Sequence, residues 1–474
     1  MGQIAGIEGE YAGLDFGDAR LERRAVAIIK RAECAPAKSF PDLLPDAAEL
    51  EGAYRFFQNE AVSAEELLRP HIEASLTRAR RHDVVRIACD TTSISFGGSR
   101  EGCGPLGAGG SGFWAHVALA VSGGEERAPL GIVGLETKVY PSVEERAERF
   151  EKARRKYIRE NLRAFPAQKV VWPAIDKWTV LPSRLKGELR GTRVIHVMDR
   201  EADSLPLLAL LTRKKFHFVV RGGAEHVTGK IDGKPIHVGD ELQKAEVIAR
   251  RRVRLGVRPK AKGDRFQRAE RDATLHLRAA RVTIGSWEIK KLTINVVEVF
   301  EPRPPKDEEA VNWVLFTNEP IETKEDIEAI VDHYRARWRV EEFFKALKTG
   351  CSIEKRQLTT FEGLEKAVAL FIPLAWHMLA LRTAAQAEEQ IPAAKVMSQL
   401  QMTVLRVLVA ERKVVLDDNP TAREALFAVA ALGGHLKRNG DPGWITIGRG
   451  YDRLRSAEDV WRLAMAQRER SDQS

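Results

Sequence analysis

The chain has 474 residues, 44% apolar and 30% charged, with 76 Lys+Arg against 67 Asp+Glu for a net charge of +9. This balance excludes wholesale disorder and suits about two to four folded domains. The basic excess is compatible with nucleic acid without pointing to it by itself. Cys34, Cys89, Cys103 and Cys351 show no C-x-x-C spacing, which argues against a zinc site or a disulfide framework and for a reducing cytoplasm. The opening MGQIAGIEGEYAGLDFGD lacks the apolar centre of a signal peptide.

In chain order, residues 18–34 read as a helix capped by Asp18, and 63–81 as a helix opened by Ser63 with Glu66 three residues on, a capping-box pattern. This first part is a small helical unit rich in Arg and Lys. The period then changes. Residues 84–96 (VVRIACDTTSISF) read as a strand, and the Gly-rich 97–112 as a loop that does not fit a strand–phosphate-loop–helix pattern. Residues 113–122 and 129–140 are further strands, and 143–164 is charged and helix-prone. TRVIHVMDREADS (192–204) reads as a strand ending in an acidic cluster, LPLLALLTRKK as a helix, and FHFVVR (216–221) as a strand. From about 222 to 318, alternating strands and the basic run 249–268 suggest an inserted β-rich module. Helical periodicity resumes at TKEDIEAIVDHYRARWRV. AVALFIPLAWHMLAL (367–381) reads as a buried core helix rather than a membrane span, being short for a bilayer and holding Pro373 and His377. There is no internal repeat, and the tail MAQRERSDQS reads as frayed.

Within the last helical region, YRARWRVEEFFKALKTGC (334–351) carries two patterns. At roughly 100° per residue, Tyr334, Arg337, Glu341, Lys345 and Lys348 fall on one face, while Ala336, Val340, Phe343 and Leu347 form a separate apolar stripe. One reading of the polar face is an ordinary solvated helix surface, with Glu341 and Lys345 as an i,i+4 pair worth about 0.2–0.5 kcal/mol. The other is a single carboxylate set among cations for chemistry.

Two more carboxylates bear on that choice. Asp90 ends the apolar run IAC, and Asp199 ends VIHVM. Either alone is open to reading as a strand-end cap or an ion pair with an arginine, because a buried carboxylate is costly unless it is paired or binds a cation. Together with Glu341 they form an all-oxygen donor set without His or Cys, which suits Mg²⁺ or Mn²⁺. Two such ions about 3.5–4 Å apart can activate water and stabilise a leaving oxygen in phosphodiester chemistry, and flanking cations would grip phosphates. His116 and His196 read as packed core histidines. Glu201 and Asp203 read as partners of Arg200 or of the site.

These residues resemble the DDE transposases of bacterial insertion sequences, in insertion sequence family four and its YREK subgroup. The signature Y-x2-R-x3-E-x6-K is met by Tyr334, Arg337, Glu341 and Lys348, with Lys345 as an additional lysine. D-R-E-A-D stands at 199–203 and D-T-T-S at 90–93, and G-D-x-R (17–20) and E-G-A-Y-R-F-F-x-N (51–59) also match. The likeness runs from about residue 16 to beyond 360.

The resemblance implies an α/β chain with an RNase H-like catalytic domain (71–221 and 319–372) interrupted by the β-rich insertion (222–318). A helical DNA-end-binding domain (1–70) would precede it, and a helical C-terminal domain (373–474), with dimerisation as its role, would follow. Asp90, Asp199 and Glu341 would be both the catalytic residues and the ligands of two Mg²⁺ ions, with Mn²⁺ able to substitute. Tyr334, Arg337, Lys345, Lys348, Arg221 and Trp338 would contact DNA, and Trp313 would stack on a flipped base near the element end. The partners would be double-stranded DNA (terminal inverted repeats and target) and a second copy of the chain in a synaptic complex, in the cytoplasm and without a membrane. Two alternatives remain: an end-binding regulator that no longer cuts, and a simple metal-dependent nuclease.

Overall fold

The computed structural model describes residues 7–106, 110–139, 172–231, 234–256, 270–285, 291–306, 308–387, 389–436, 438 and 440–472. Helices α1 (Ala19–Cys34), α2 (Phe40–Leu43), α3 (Ala47–Gln58) and α4 (Ala64–Ala79) open the chain. Asp18 caps α1 by accepting from the Arg20 N–H, and Ser63 caps α4 by accepting from the Glu66 N–H at 3.0 Å. The expected capping box is only half formed. The Glu66 carboxylate turns to Arg69 at 3.0 Å and to the Asp15 N–H at 3.2 Å, because a guanidinium and a folded-back loop compete for it.

The strands are β1 (Val84–Phe96), β2 (Gly104–Leu106), β3 (Gly110–Ser122), β4 (Pro129–Lys138), β5 (Arg193–Met198), β6 (His217–Gly222), β7 (Val227–Ile231), β8 (Lys234–His237), β9 (Ala249–Leu255), β10 (Arg271–Ile284), β11 (Leu292–Phe300) and β12 (Asn312–Thr317). One ten-stranded sheet runs β2-β3-β1-β5-β6-β12-β11-β10-β9, with β4 paired to β3, and β7 and β8 form a separate hairpin. The β1–β5 and β5–β6 pairings are parallel and the other pairings antiparallel. Parallel strands lie buried on both faces, which is why β1 and β5 read as near-continuous apolar runs.

One expectation gains detail here and one changes. The β-rich segment 222–318 is built largely onto the central sheet. Strands β9–β12 continue the central sheet past β6, and Val282, Ile294, Val296, Val314 and Phe316 share a core with Met198, Leu207 and Phe218. Backbone pairing between β6 and β12 was invisible to local pattern. The Gly-rich stretch is also partly strand. A Cβ on Gly112 would stand 1.9 Å from the Ile94 carbonyl oxygen, so the glycine allows β1 and β3 to approach. The helix-prone 143–164 and residues 257–268 of the basic run lie outside the described residues.

The remaining helices are α5 (Trp172–Leu185), α6 (Leu205–Arg213), α7 (Val238–Lys244), α8 (Lys324–Arg335), α9 (Trp338–Lys345), α10 (Phe361–Ala385), α11 (Gln399–Ala410), α12 (Ala422–Leu432) and α13 (Trp444–Asp472). Helix α10 is the one described helix long and apolar enough to cross a bilayer, but 94% of its apolar window is buried inside the protein. An all-round apolar helix must be covered on every side. It gathers Ile28, Phe40 and Phe57 from the N-terminal helices and Val429, Ile447 and Leu454 from the C-terminal ones into one core. The expected boundaries at 70/71 and 372/373 therefore fall inside α4 and α10, and the terminal helical parts are packed together rather than apart.

A buried polar cluster reinforces that union. Glu10, in the short 3-10 turn Ile7–Tyr11, accepts from Arg78 Nη1 at 2.6 Å and lies 2.5 Å from His71 Nδ1. The Ile132 N–H donates to His71 Nε2 at 3.0 Å, so the imidazole is neutral with its proton on Nδ1. Burial lowers the His71 pKa, in keeping with that form. Burial would raise the Glu10 carboxyl, but the His71 and Arg78 interactions outweigh it and hold the value down to about 2. The guanidinium of Arg78 also lies 4.2 Å from the Trp376 ring of α10.

Candidate active site

Strands β1 and β5 run in parallel register, with Cys89 opposite Met198. The next residue after each is an aspartate, Asp90 within β1 and Asp199 just past the end of β5, so the two emerge side by side. Asp199 then caps a short 3-10 turn (Arg200–Ala202), its Oδ1 accepting from the Glu201 N–H at 2.9 Å. Glu341 comes from the first turn of α9. Arg337, in the turn that joins α8 to α9, donates from Nη1 to Asp90 Oδ2 at 3.1 Å and from Nη2 to Glu341.

Asp90 thus neighbours Asp199 across the sheet and is joined to Glu341 through an arginine. Among the described residues no group of three or more acidic, His or Cys side chains is assembled as a metal cage. Burial, and then the neighbouring Asp199 charge, push Asp90 up to about 7 against the pull of Arg337. Burial likewise raises Asp199. Such crowded carboxylates call for a cation, and a guanidinium already serves two of them. The donor set is all oxygen and partly open, since the Glu341 side chain is 28% exposed. These residues fit a hard divalent ion.

The polar row along 334–351 is not one open face. The helix is interrupted by a turn at Ala336–Arg337, and Ala346–Gly350 winds as a π-turn, which shifts the helical phase that regular 3.6-residue spacing assumes. The apolar stripe Ala336, Val340, Phe343 and Leu347 is buried as expected, but so are Tyr334 and Arg337. Tyr334 packs edge-on against Trp313, with ring centroids 5.3 Å apart, and the Arg337 guanidinium lies 5.7 Å from the tyrosine ring. Burial raises the Tyr334 hydroxyl, with the charges of Arg337 and Arg221 opposing. Trp313, opposite Val299 on β12, and Arg221, opposite Leu315 on β6, are half-buried.

Glu341 and Lys345 do not pair: Arg337 takes the glutamate, and Lys345 bonds Glu342 at 3.0 Å. Lys348 Nζ donates to the Ser93 carbonyl of β1 at 2.5 Å and lies 3.6 Å from Glu354. Lys345 and Trp338 face outward, with the ammonium 5.2 Å from an indole ring that belongs to a residue 54% exposed.

His116 and His196 are buried, and burial depresses both to about 3, as packed neutral histidines require. Asp203 does not partner Arg200. It accepts from the Gly223 N–H and pairs with His226 at 2.7 Å, while Arg200 pairs with Glu225 and Glu201 with Lys177. Glu354, which accepts from the Ser95 N–H at 3.0 Å beside Lys348, was missed because Ser95 lies 259 residues away along the chain.

Fold and site define an α/β protein with two aspartates side by side where adjacent parallel strands part, Asp90 within β1 and Asp199 just past β5. Residues 6–62 match the family model described as transposase DNA-binding, and residues 180–372 match the one described as transposase DDE domain. These matches support a DDE transposase. Asp199 and Glu341 lie inside the DDE match, whereas Asp90 precedes it. The chain is also similar to the piggyBac transposase in a cryo-EM synaptic complex with hairpin DNA, at 10% identity over 84% of this chain and 73% of that one, with a TM-score of 0.35. A likeness of that degree carries no argument about function.

Proposed function

We propose that the protein is a cut-and-paste DNA transposase of insertion sequence family four, close to the transposase of transposon Tn-five. The single observation that carries this reading is that Asp90 neighbours Asp199 across the β1–β5 register and shares Arg337 with Glu341, in a chain with a transposase DNA-binding segment and a DDE domain. The core β4-β3-β1-β5-β6, three antiparallel strands continued by two parallel ones, supports an RNase H-like catalytic unit.

Asp90, Asp199 and Glu341 would hold two Mg²⁺ ions, with Mn²⁺ able to substitute; when bound, these supply activation of the attacking oxygen and charge stabilisation of the leaving one. The reaction is a series of in-line phosphoryl transfers. Water breaks one strand at the element end and leaves a 3′-hydroxyl. That hydroxyl attacks the opposite strand and forms a hairpin, a second water opens it, and the 3′-hydroxyl joins target DNA. Lys345 and Trp338 present an ammonium and an aromatic face to the DNA backbone, and Arg221 clamps it from β6. Trp313, half-buried against Tyr334, offers one face for stacking a base turned out of the duplex, a contact typically worth about 1–3 kcal/mol. The protein works as a homodimer in a synaptic complex with its inverted-repeat ends, on the bacterial nucleoid in the cytoplasm.

The test is cleavage of an end-labelled terminal duplex with Mg²⁺ by Asp90→Ala, Asp199→Ala and Glu341→Ala. Each should abolish cutting while gel-shift binding of the end persists. A variant that cuts at near-normal rate removes its residue from the site. A wild-type protein that binds ends without cutting is a regulator.

A further inference from the structure

We propose that Arg337 is an internal counter-ion that keeps the carboxylate site closed to metal until DNA draws its guanidinium away. The inference rests on the metal-binding reading of Asp90, Asp199 and Glu341 given above. Three observations carry it.

First, the Arg337 side chain is only 11% exposed and spans both carboxylates, Nη1 on Asp90 Oδ2 at 3.1 Å and Nη2 on Glu341. Any ion held by those oxygens must share them with a positive group at hydrogen-bond distance, so metal and guanidinium compete. Second, no other cation of the row competes. Lys345 is paired with Glu342, Lys348 is bound to the β1 backbone near Glu354, and Asp199 makes no ion pair among the described residues. Third, Arg337 is not fully satisfied where it lies. It sits in the turn between α8 and α9, and its buried Nε has no hydrogen-bond partner.

A guanidinium binds a phosphate through the same fork it uses for carboxylates. Arg337 cannot satisfy both at once. A phosphate that captures it frees Asp90 and Glu341, and by linkage metal and DNA then favour each other's binding. The site would thereby stay metal-poor away from its substrate.

The experiment measures Mn²⁺ affinity without DNA, from the electron paramagnetic resonance signal of free Mn²⁺, for wild type, Arg337→Gln and the double variant Arg337→Gln/Asp90→Asn. Arg337→Gln should bind Mn²⁺ at least about tenfold tighter than wild type, because a charge competitor at contact distance is gone. The double variant should lose that gain. Equal or weaker binding by Arg337→Gln overturns the counter-ion role. Tight binding that survives Asp90→Asn instead overturns the metal-site reading beneath it. Should Arg337→Gln fail to fold by circular dichroism, Arg337→Met decides. It too removes the charge while keeping much of the apolar stem, so its Mn²⁺ affinity should rise above wild type, and an unchanged value overturns the proposal.

Discussion

Glu10→Gln probes how firmly the N-terminal segment is fastened to the catalytic sheet. The carboxylate is almost fully buried, with a side chain 1% exposed, and it accepts from Arg78 at 2.6 and 3.0 Å while His71 Nδ1 lies 2.5 Å away. The fall from an ordinary 4.5 to about 2 converts, at about 1.4 kcal/mol per pH unit, to roughly 3 kcal/mol of folded-state stability. A cost of about 3–5 kcal/mol is typical when one partner of a buried pair is removed and the other charge stays behind, as Arg78 would here. The folded pKa is depressed, so this contribution is fully present above about 4.5 and is lost as pH falls toward 2. Urea unfolding of wild type and Glu10→Gln at pH 7.5 should differ by about 3 kcal/mol, and the gap should narrow on acidification. Because residues 7–11 begin the chain's docking onto α4 and α10, amide exchange in α1 and α3 should rise in the variant before global unfolding. A difference below about 1 kcal/mol at pH 7.5, the worth of one neutral hydrogen bond, would refute the view that this buried charge cluster holds the N-terminal unit in place.

Salt dependence of end binding separates the two lysines: Lys345→Ala should reduce the log–log slope by about 0.9, as for one lost phosphate contact, whereas Lys348→Ala should leave the slope alone and slow cleavage by loosening β1. Similar slopes for Lys345→Ala and wild type would return Lys345 to an ordinary surface pair with Glu342. Trp313→Ala should slow hairpin formation more than the first nick, because extruding a base costs a few kcal/mol that an aromatic platform offsets in part. Nicked DNA should then accumulate on a denaturing gel, and equal slowing of both steps would make Trp313 only the packing partner of Tyr334.

Much of the molecule was legible residue by residue. The apolar runs before Asp90 and Asp199 identify strands β1 and β5, because a parallel strand buried on both faces must be apolar throughout, although β1 runs on past Asp90 to Phe96. The caps at Asp18 and Ser63, the apolar stripe from Ala336 to Leu347, and the core character of 367–381 follow from similarly local rules. What local pattern cannot carry is a partner far along the chain. The register that sets Cys89 opposite Met198, and so brings the two aspartates together, belongs to β1 and β5 jointly. The same holds for the joining of β12 to β6, which carries the β-rich segment onto the same sheet. It holds too for α10, whose all-round burial needs helices from both ends of the chain. The polar row shows the limit most clearly. Its spacing assumes an unbroken helix, but the turn at Ala336–Arg337 and the π-turn at Ala346–Gly350 change the phase. Tertiary packing therefore decided that Arg337 points inward to Asp90 and Glu341 and Lys348 onto the Ser93 carbonyl, leaving Lys345 and Trp338 facing out, since only the folded neighbours determine which charged groups are desolvated together.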